Sequence, residues 1–120
     1  MTTLYQYALS NIEVIDRDTI SADIDLGFAV ILKNRKTRIA HIDCPEVKTP
    51  EGIKARDFTT KWIDVAVKSG KPVVVSVKNH RLDKYGRILG VVTCAGQSLA
   101  DALKLAGYGV AYEGGTKPSA

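Results

Sequence analysis

The chain has 120 residues, 45% of them hydrophobic and 25% charged, with 17 lysines and arginines against 13 acidic residues for a net charge of +4. That length predicts a single domain over residues 1–120, able to bury about two-thirds of the surface its unfolded form exposes, and the balance is that of a globular rather than a disordered or membrane chain. No apolar run approaches the roughly 18 residues of a membrane span. The N-terminus lacks a basic region followed by an apolar stretch, so a cytoplasmic protein without a membrane partner is expected, with secretion after removal of a signal as the alternative. Cys44 and Cys94 are too far apart in sequence for a zinc spacing and too few for a disulfide framework, so free thiols are expected.

Tyr5 to about Val14 reads as a strand, and "DRDT" (Asp16 to Thr19) as a polar turn. Ile20, Ala22, Ile24 and Leu26 then alternate with Ser21, Asp23 and Asp25, the period of two that marks a strand with one buried face. Gly27 breaks it, and the apolar "FAVIL" leads into what reads as a basic turn, "KNRKTR" (Lys33 to Arg38). Arg38 to Ile42 is strand-like and stops before Pro45, which keeps Cys44 out of the helical region.

A hydroxyl at Thr49, Pro50 and Glu51 together form a helix start. Ala55, Phe58, Trp62, Val65 and Ala66 follow at three- and four-residue intervals as an apolar stripe, and the helix ends near Ser69 and Gly70. "VVVSV" (Val73 to Val77) and "ILGVV" are strands on either side of a polar turn. Ser98 with Asp101 makes a capping box for a short helix ended by Gly107, and residues 113–120 read as a flexible tail. The predicted fold is therefore all-β/α+β: a five-stranded OB-fold β-barrel with a helix between strands 3 and 4 and a short C-terminal helix.

Three polar clusters lie at strand ends: Asp16 and Asp18; Arg38, Asp43 and Glu46 in "RIAHIDCPE"; and "DKYGR", Asp83 to Arg87. Taken singly, each has an ordinary reading as a turn whose carboxylates bond nearby amides, or as solvated surface. A zinc or thiol reading of "HIDC" would have to use every His and Cys of the chain, His41, Cys44, His80 and Cys94, and is disfavoured.

Taken together, "VIDRDTI", "RIAHIDCPE", "DKYGRILG" and "SLADALKLAGYGVAY" resemble, in that order, the staphylococcal nuclease (thermonuclease) family, over about residues 10–112. The resemblance implies a calcium-dependent nuclease that hydrolyses phosphodiester bonds of DNA and/or RNA with little sequence specificity. It implies Ca²⁺ held by Asp18, Asp43 and the backbone carbonyl of Cys44, oxygen donors of the hard kind this cation takes. Arg38 and Arg87 are implied as guanidinium forks on the phosphate, and Glu46 as the group that accepts a proton from the attacking water or orients it. Lys84, Tyr85 and Tyr112 match positions that contact nucleotide phosphate and base, although Tyr112 reads equally well as a core-edge aromatic.

The pattern departs from the family's in two places. Arg17 stands where the first motif normally has glycine, and weaker metal binding with retained activity is expected from it. The chain ends in "EGGTKPSA" where a further helix is common, and a monomer or weak homodimer is expected. The rival expectation is an OB-fold module that binds nucleic acid or protein after losing catalysis. The presence of Asp18, Arg38, Asp43, Glu46 and Arg87 together favours the enzyme.

Overall fold

Ile20, Ala22 and Ile24 bury their side chains along one face of a strand, and a barrel forms because four other strands wrap round to cover them. The computed structural model describes residues 5–16, 18–40, 42–43 and 50–111. Strand β1 (Tyr5–Asp16) pairs antiparallel with β2 (Thr19–Gly27), which pairs antiparallel with β3 (Val30–Ile39). Strands β5 (Val73–Val77) and β6 (Ile88–Cys94) continue the sheet from the other edge of β1. A parallel pairing of β3 with β6, Thr37 to Ile88 through Ile39 to Gly90, closes it. The result is the expected five-stranded barrel, closed along residues 37–39 of β3, with the β2–β3 hairpin extending past the seam.

Helix α1 (Pro50–Lys68) lies between the third and fourth barrel strands, and α2 (Leu99–Leu105) follows the short strand β7 (Gln97–Ser98). Ser98 caps α2 by accepting the Asp101 amide at 3.3 Å, as the capping box predicts. Gly107, at φ +81°, ends the helix: the Tyr108 amide reaches back to the Leu103 carbonyl and the Gly107 amide to that of Lys104. Leu99 and Leu103 of this helix are fully buried beside Ile39, Ile42, Val75 and Val92. Two short strands outside the barrel, β4 (Ile42–Asp43) and β8 (Val110–Ala111), pair antiparallel.

Three readings of the sequence need correction. Lys33 to Arg38 is not a turn but the middle and end of β3. The reversal falls earlier, at Phe28 and Ala29, whose φ values of 57° and 63° make a two-residue hairpin loop between the paired Gly27 and Val30. Arg38 and Ile39 finish β3, while Ile42 and Asp43 form a separate strand instead of prolonging it. On α1 the buried face runs through Gly52, Ala55, Thr59, Ile63 and Ala66; Val65 is 61% exposed, and Phe58 and Trp62 pack only at the margin of the core. Thr59 is tolerated inside because its hydroxyl bonds the Ala55 carbonyl one turn back at 3.1 Å.

Candidate active site

The hinge of the site is the tight connection from β1 to β2, where Asp16 pairs directly with Thr19. Asp18 sits in that turn, 3% exposed, and its carbonyl accepts the Ile39 amide at 2.8 Å, which docks the turn onto the end of β3. Cross-strand register places Thr19 opposite Arg38, and Arg38 in turn lies opposite Leu89 of β6. The barrel closure thus brings the β1–β2 turn, the end of β3 and the start of β6 to one patch.

Arg38 is largely enclosed, its side chain 11% exposed. Its Nε lies 3.5 Å from the Asp18 carboxylate. One terminal nitrogen donates to the Ile42 carbonyl at 2.7 Å and the other to the carbonyl of Ile39. The guanidinium therefore ties the buried carboxylate to the backbone leading into Asp43. The planar fork of arginine suits this task, since one group reaches three acceptors in fixed directions.

Arg87 approaches from the β5–β6 connection. Asp83 receives its amide at 2.8 Å and its Nε at 2.8 Å, together with the Tyr85 amide at 2.9 Å. Burial works to raise the Asp83 carboxyl pKa, but the Arg87 amide and guanidinium and the Tyr85 amide outweigh it and hold the group below its ordinary value. Gly86, at φ +79°, allows the chain to turn within this loop. A terminal nitrogen of Arg87 then donates to the Thr19 hydroxyl at 3.3 Å, and that hydroxyl donates to Asp18 at 3.1 Å. Asp18, Thr19 and Arg87 form one hydrogen-bonded chain. The Tyr85 ring, 71% exposed, lies 5.2 Å from the Arg87 guanidinium and 5.2 Å from the Lys84 ammonium, within cation–π range.

Of the residues expected from the sequence, the structure gathers Asp18, Arg38, Arg87, Tyr85 and Lys84, and sets the β4 backbone at Asp43 beside them through the Arg38–Ile42 bond. Cys44, Glu46 and Tyr112, like Arg17, His41 and the 113–120 tail, lie outside the described residues. Two participants had not been singled out. Thr19 links the acid to Arg87, and Asp83 anchors Arg87; both stand inside quoted motifs, but their roles depend on register and loop geometry.

Among the described residues no three His, Cys, Asp or Glu side chains gather around one point. Asp18 offers a carboxylate oxygen of the kind a hard cation takes, and among the described residues that carboxylate is engaged by the Thr19 hydroxyl and Arg38. No helix among the described residues is long and apolar enough to cross a membrane.

A sequence model of staphylococcal nuclease homologues matches residues 36–119. The chain belongs to that family. A curated relative, "Staphylococcal-like nuclease CAN1" of Arabidopsis thaliana, is 33% identical over 87 residues, 70% of this chain. The chain spans about a quarter of that relative's length. The family match begins at Lys36, so Asp18 and Thr19 join the site on the strength of their bonds to Arg38 and Arg87. This nuclease-like domain therefore builds its polar patch from residues inside the matched region and from the β1–β2 turn that precedes it.

Proposed function

We propose that the domain is a calcium-dependent nuclease that hydrolyses phosphodiester bonds in DNA or RNA with little regard for sequence. The observation that carries this reading is the convergence of two guanidinium groups, Arg38 and Arg87, on one buried carboxylate, Asp18, within a member of the staphylococcal nuclease family. A phosphodiester under attack gathers negative charge on its non-bridging oxygens, and planar guanidinium forks match that charge in number and direction.

In this reading Asp18, Asp43 and the Cys44 carbonyl hold the calcium ion. When bound, the ion supplies positive charge against the phosphate and a fixed place for a water. Arg87 grips the phosphate from a position set by Asp83 and Thr19, and Arg38 from the opposite strand. Glu46 accepts the proton of the attacking water or orients it toward phosphorus. Tyr85 and Tyr112 offer ring faces to bases, and Lys84 a charge to a neighbouring phosphate; stacking of this kind is indifferent to base identity.

The test is cleavage of single-stranded DNA and of RNA with calcium, with chelator, and by Glu46→Gln. Calcium-dependent cleavage that falls by at least a hundredfold in Glu46→Gln is expected. Tight binding without cleavage would replace the enzyme with a nucleic-acid-binding module, and cleavage that survives chelator and substitution would sink the mechanism.

A further inference from the structure

Lys36 stands two residues before Arg38 on β3, so the two side chains leave the same face of the strand about 7 Å apart. Arg87 immediately precedes β6, and the parallel Thr37–Ile88 pair, carried one residue back, would set Lys36 abreast of it. Lys36 is exposed and has no ion pair among the described residues. On this face the row across the sheet runs Lys36, Ser21, Glu13, which puts the carboxylate of β1 two strands away, at about 10 Å. The two arginines beside it are already engaged with Asp18 and Asp83, so neither of those carboxylates is left over for Lys36. Its advantage appears only when polyanion arrives.

The same strand leads to a second feature without a folding rationale. From Arg38 back to Val30 β3 extends roughly 27 Å, reaching the hairpin tip beyond the core. There Phe28 is 99% exposed, with Val30 and Ile31 about half exposed. Phe28 and Ala29 both adopt positive φ, in a turn that favours asparagine and glycine, so a bulky aromatic is held at the tip against its backbone preference.

We infer that the β2–β3 hairpin is a strand-binding arm: Lys36 takes the phosphate next to the one gripped by Arg38 and Arg87, and Phe28 stacks on a base farther along the same single strand. The arm rests on the nuclease reading above and adds the direction in which the substrate leaves the site. Its reach spans several nucleotides, within the range of single-strand sites on barrels of this type. A lipid surface would also accept an apolar tip on a basic stalk, but the cationic row is continuous with the site arginines, which favours nucleic acid.

The experiment uses a fluorescent 12-nucleotide thymidine oligomer with chelator present, so that binding is read without cleavage, against wild type, Lys36→Ala and Phe28→Asn. Lys36→Ala should weaken binding about five- to tenfold and reduce the slope of log affinity against log salt by about 0.7, the signature of one lost phosphate contact on a single strand. Phe28→Asn should weaken binding about fivefold or more while leaving the thermal midpoint unchanged or raised, because asparagine suits the turn. With calcium, cleavage of a dinucleotide, too short to reach the tip, should be unaffected by Phe28→Asn. Wild-type affinity in both variants, with cleavage of long strands intact, would overturn the arm and leave the nuclease reading standing. Wild-type binding to phosphatidylserine–phosphatidylcholine vesicles that is lost in Phe28→Asn, with unchanged oligomer affinity, would overturn it in favour of a lipid surface. A wild-type protein that neither binds nor cleaves the oligomer would bring down both.

Discussion

Asp83 shows how one side chain can serve a site without touching its substrate. It spends one oxygen on the amides of Tyr85 and Arg87 and the other on the Arg87 Nε, so the loop and the guanidinium are fixed by a single carboxylate. Both partners are about a quarter exposed, and a pair so accessible contributes little to stability, under about 1 kcal/mol. Its value lies in direction: it aims Arg87 at Thr19, and in the proposed nuclease at the phosphate as well. Asp83→Asn is therefore expected to lower kcat about tenfold or more, with the thermal midpoint within a few degrees of wild type. Paired measurements of turnover and melting check this; unchanged kcat would show that Arg87 finds its place unaided. The motif "DKYGR" made Arg87 visible in the sequence, but Asp83 read there as one more turn residue. Its role depends on loop geometry, which a string of letters does not carry.

At the level of elements, the site depends on how closely β6 can approach its neighbours. Gly90 pairs with Ile39, accepts the Ala40 amide at 2.8 Å, and faces Val75 so tightly that a Cβ would stand 2.4 Å from a Val75 methyl and 3.2 Å from the Ser76 carbonyl. Val75 is fully buried and β-branched, so it has little rotamer freedom with which to yield. Gly90→Ala should destabilise the domain by about 1–3 kcal/mol, read by urea unfolding, with activity reduced in the fraction that remains folded because Arg38 is adjacent to the strained pair. Full stability in the variant would mean that the barrel seam has more slack than the distances imply. The sequence disclosed β2 well, because a strand with one wet and one dry face prints an alternation. It concealed β3, since Lys33 through Lys36 are exposed on both faces where the hairpin overhangs the core, and a strand wet on both sides looks like a turn. The α1 stripe reads from the sequence a fraction of a turn away from the buried face, for a related reason. Thr59 occupies a core position while Val65 faces water, so polarity alone pointed to the wrong face. The arginines and Asp18 were legible because their motifs are local; the bond network among them was not, because it is made by strand pairing.

Across the whole molecule, the barrel is bent at two irregular positions that share one anchor. Asn11 on β1 and Asn34 on β3 both adopt positive φ, at 49° and 53°, where the pairing with β2 shifts register. Between them, buried Asp23 accepts the Asn11 side-chain amide at 2.8 Å, the Asn34 backbone amide at 3.0 Å and the Lys33 ammonium at 3.3 Å. The Asn11 bond first, then the Asn34 amide, lower the Asp23 carboxyl below its ordinary value, against the opposing effect of burial. A carboxyl with a lower pKa folded than unfolded contributes stability that is present above the unfolded value, about 3.9, and lost as pH falls through the folded one. Asp23→Asn should therefore be less stable than wild type at pH 7, and the gap should narrow below about pH 4 as the wild-type carboxylate takes up its proton. Urea unfolding of both proteins at pH 7 and pH 3 measures the gap directly. A difference that persists unchanged at pH 3 would show that the bulges are held by shape and not by the carboxylate charge, and the acid sensitivity of the barrel would then have to originate at Asp83 or elsewhere.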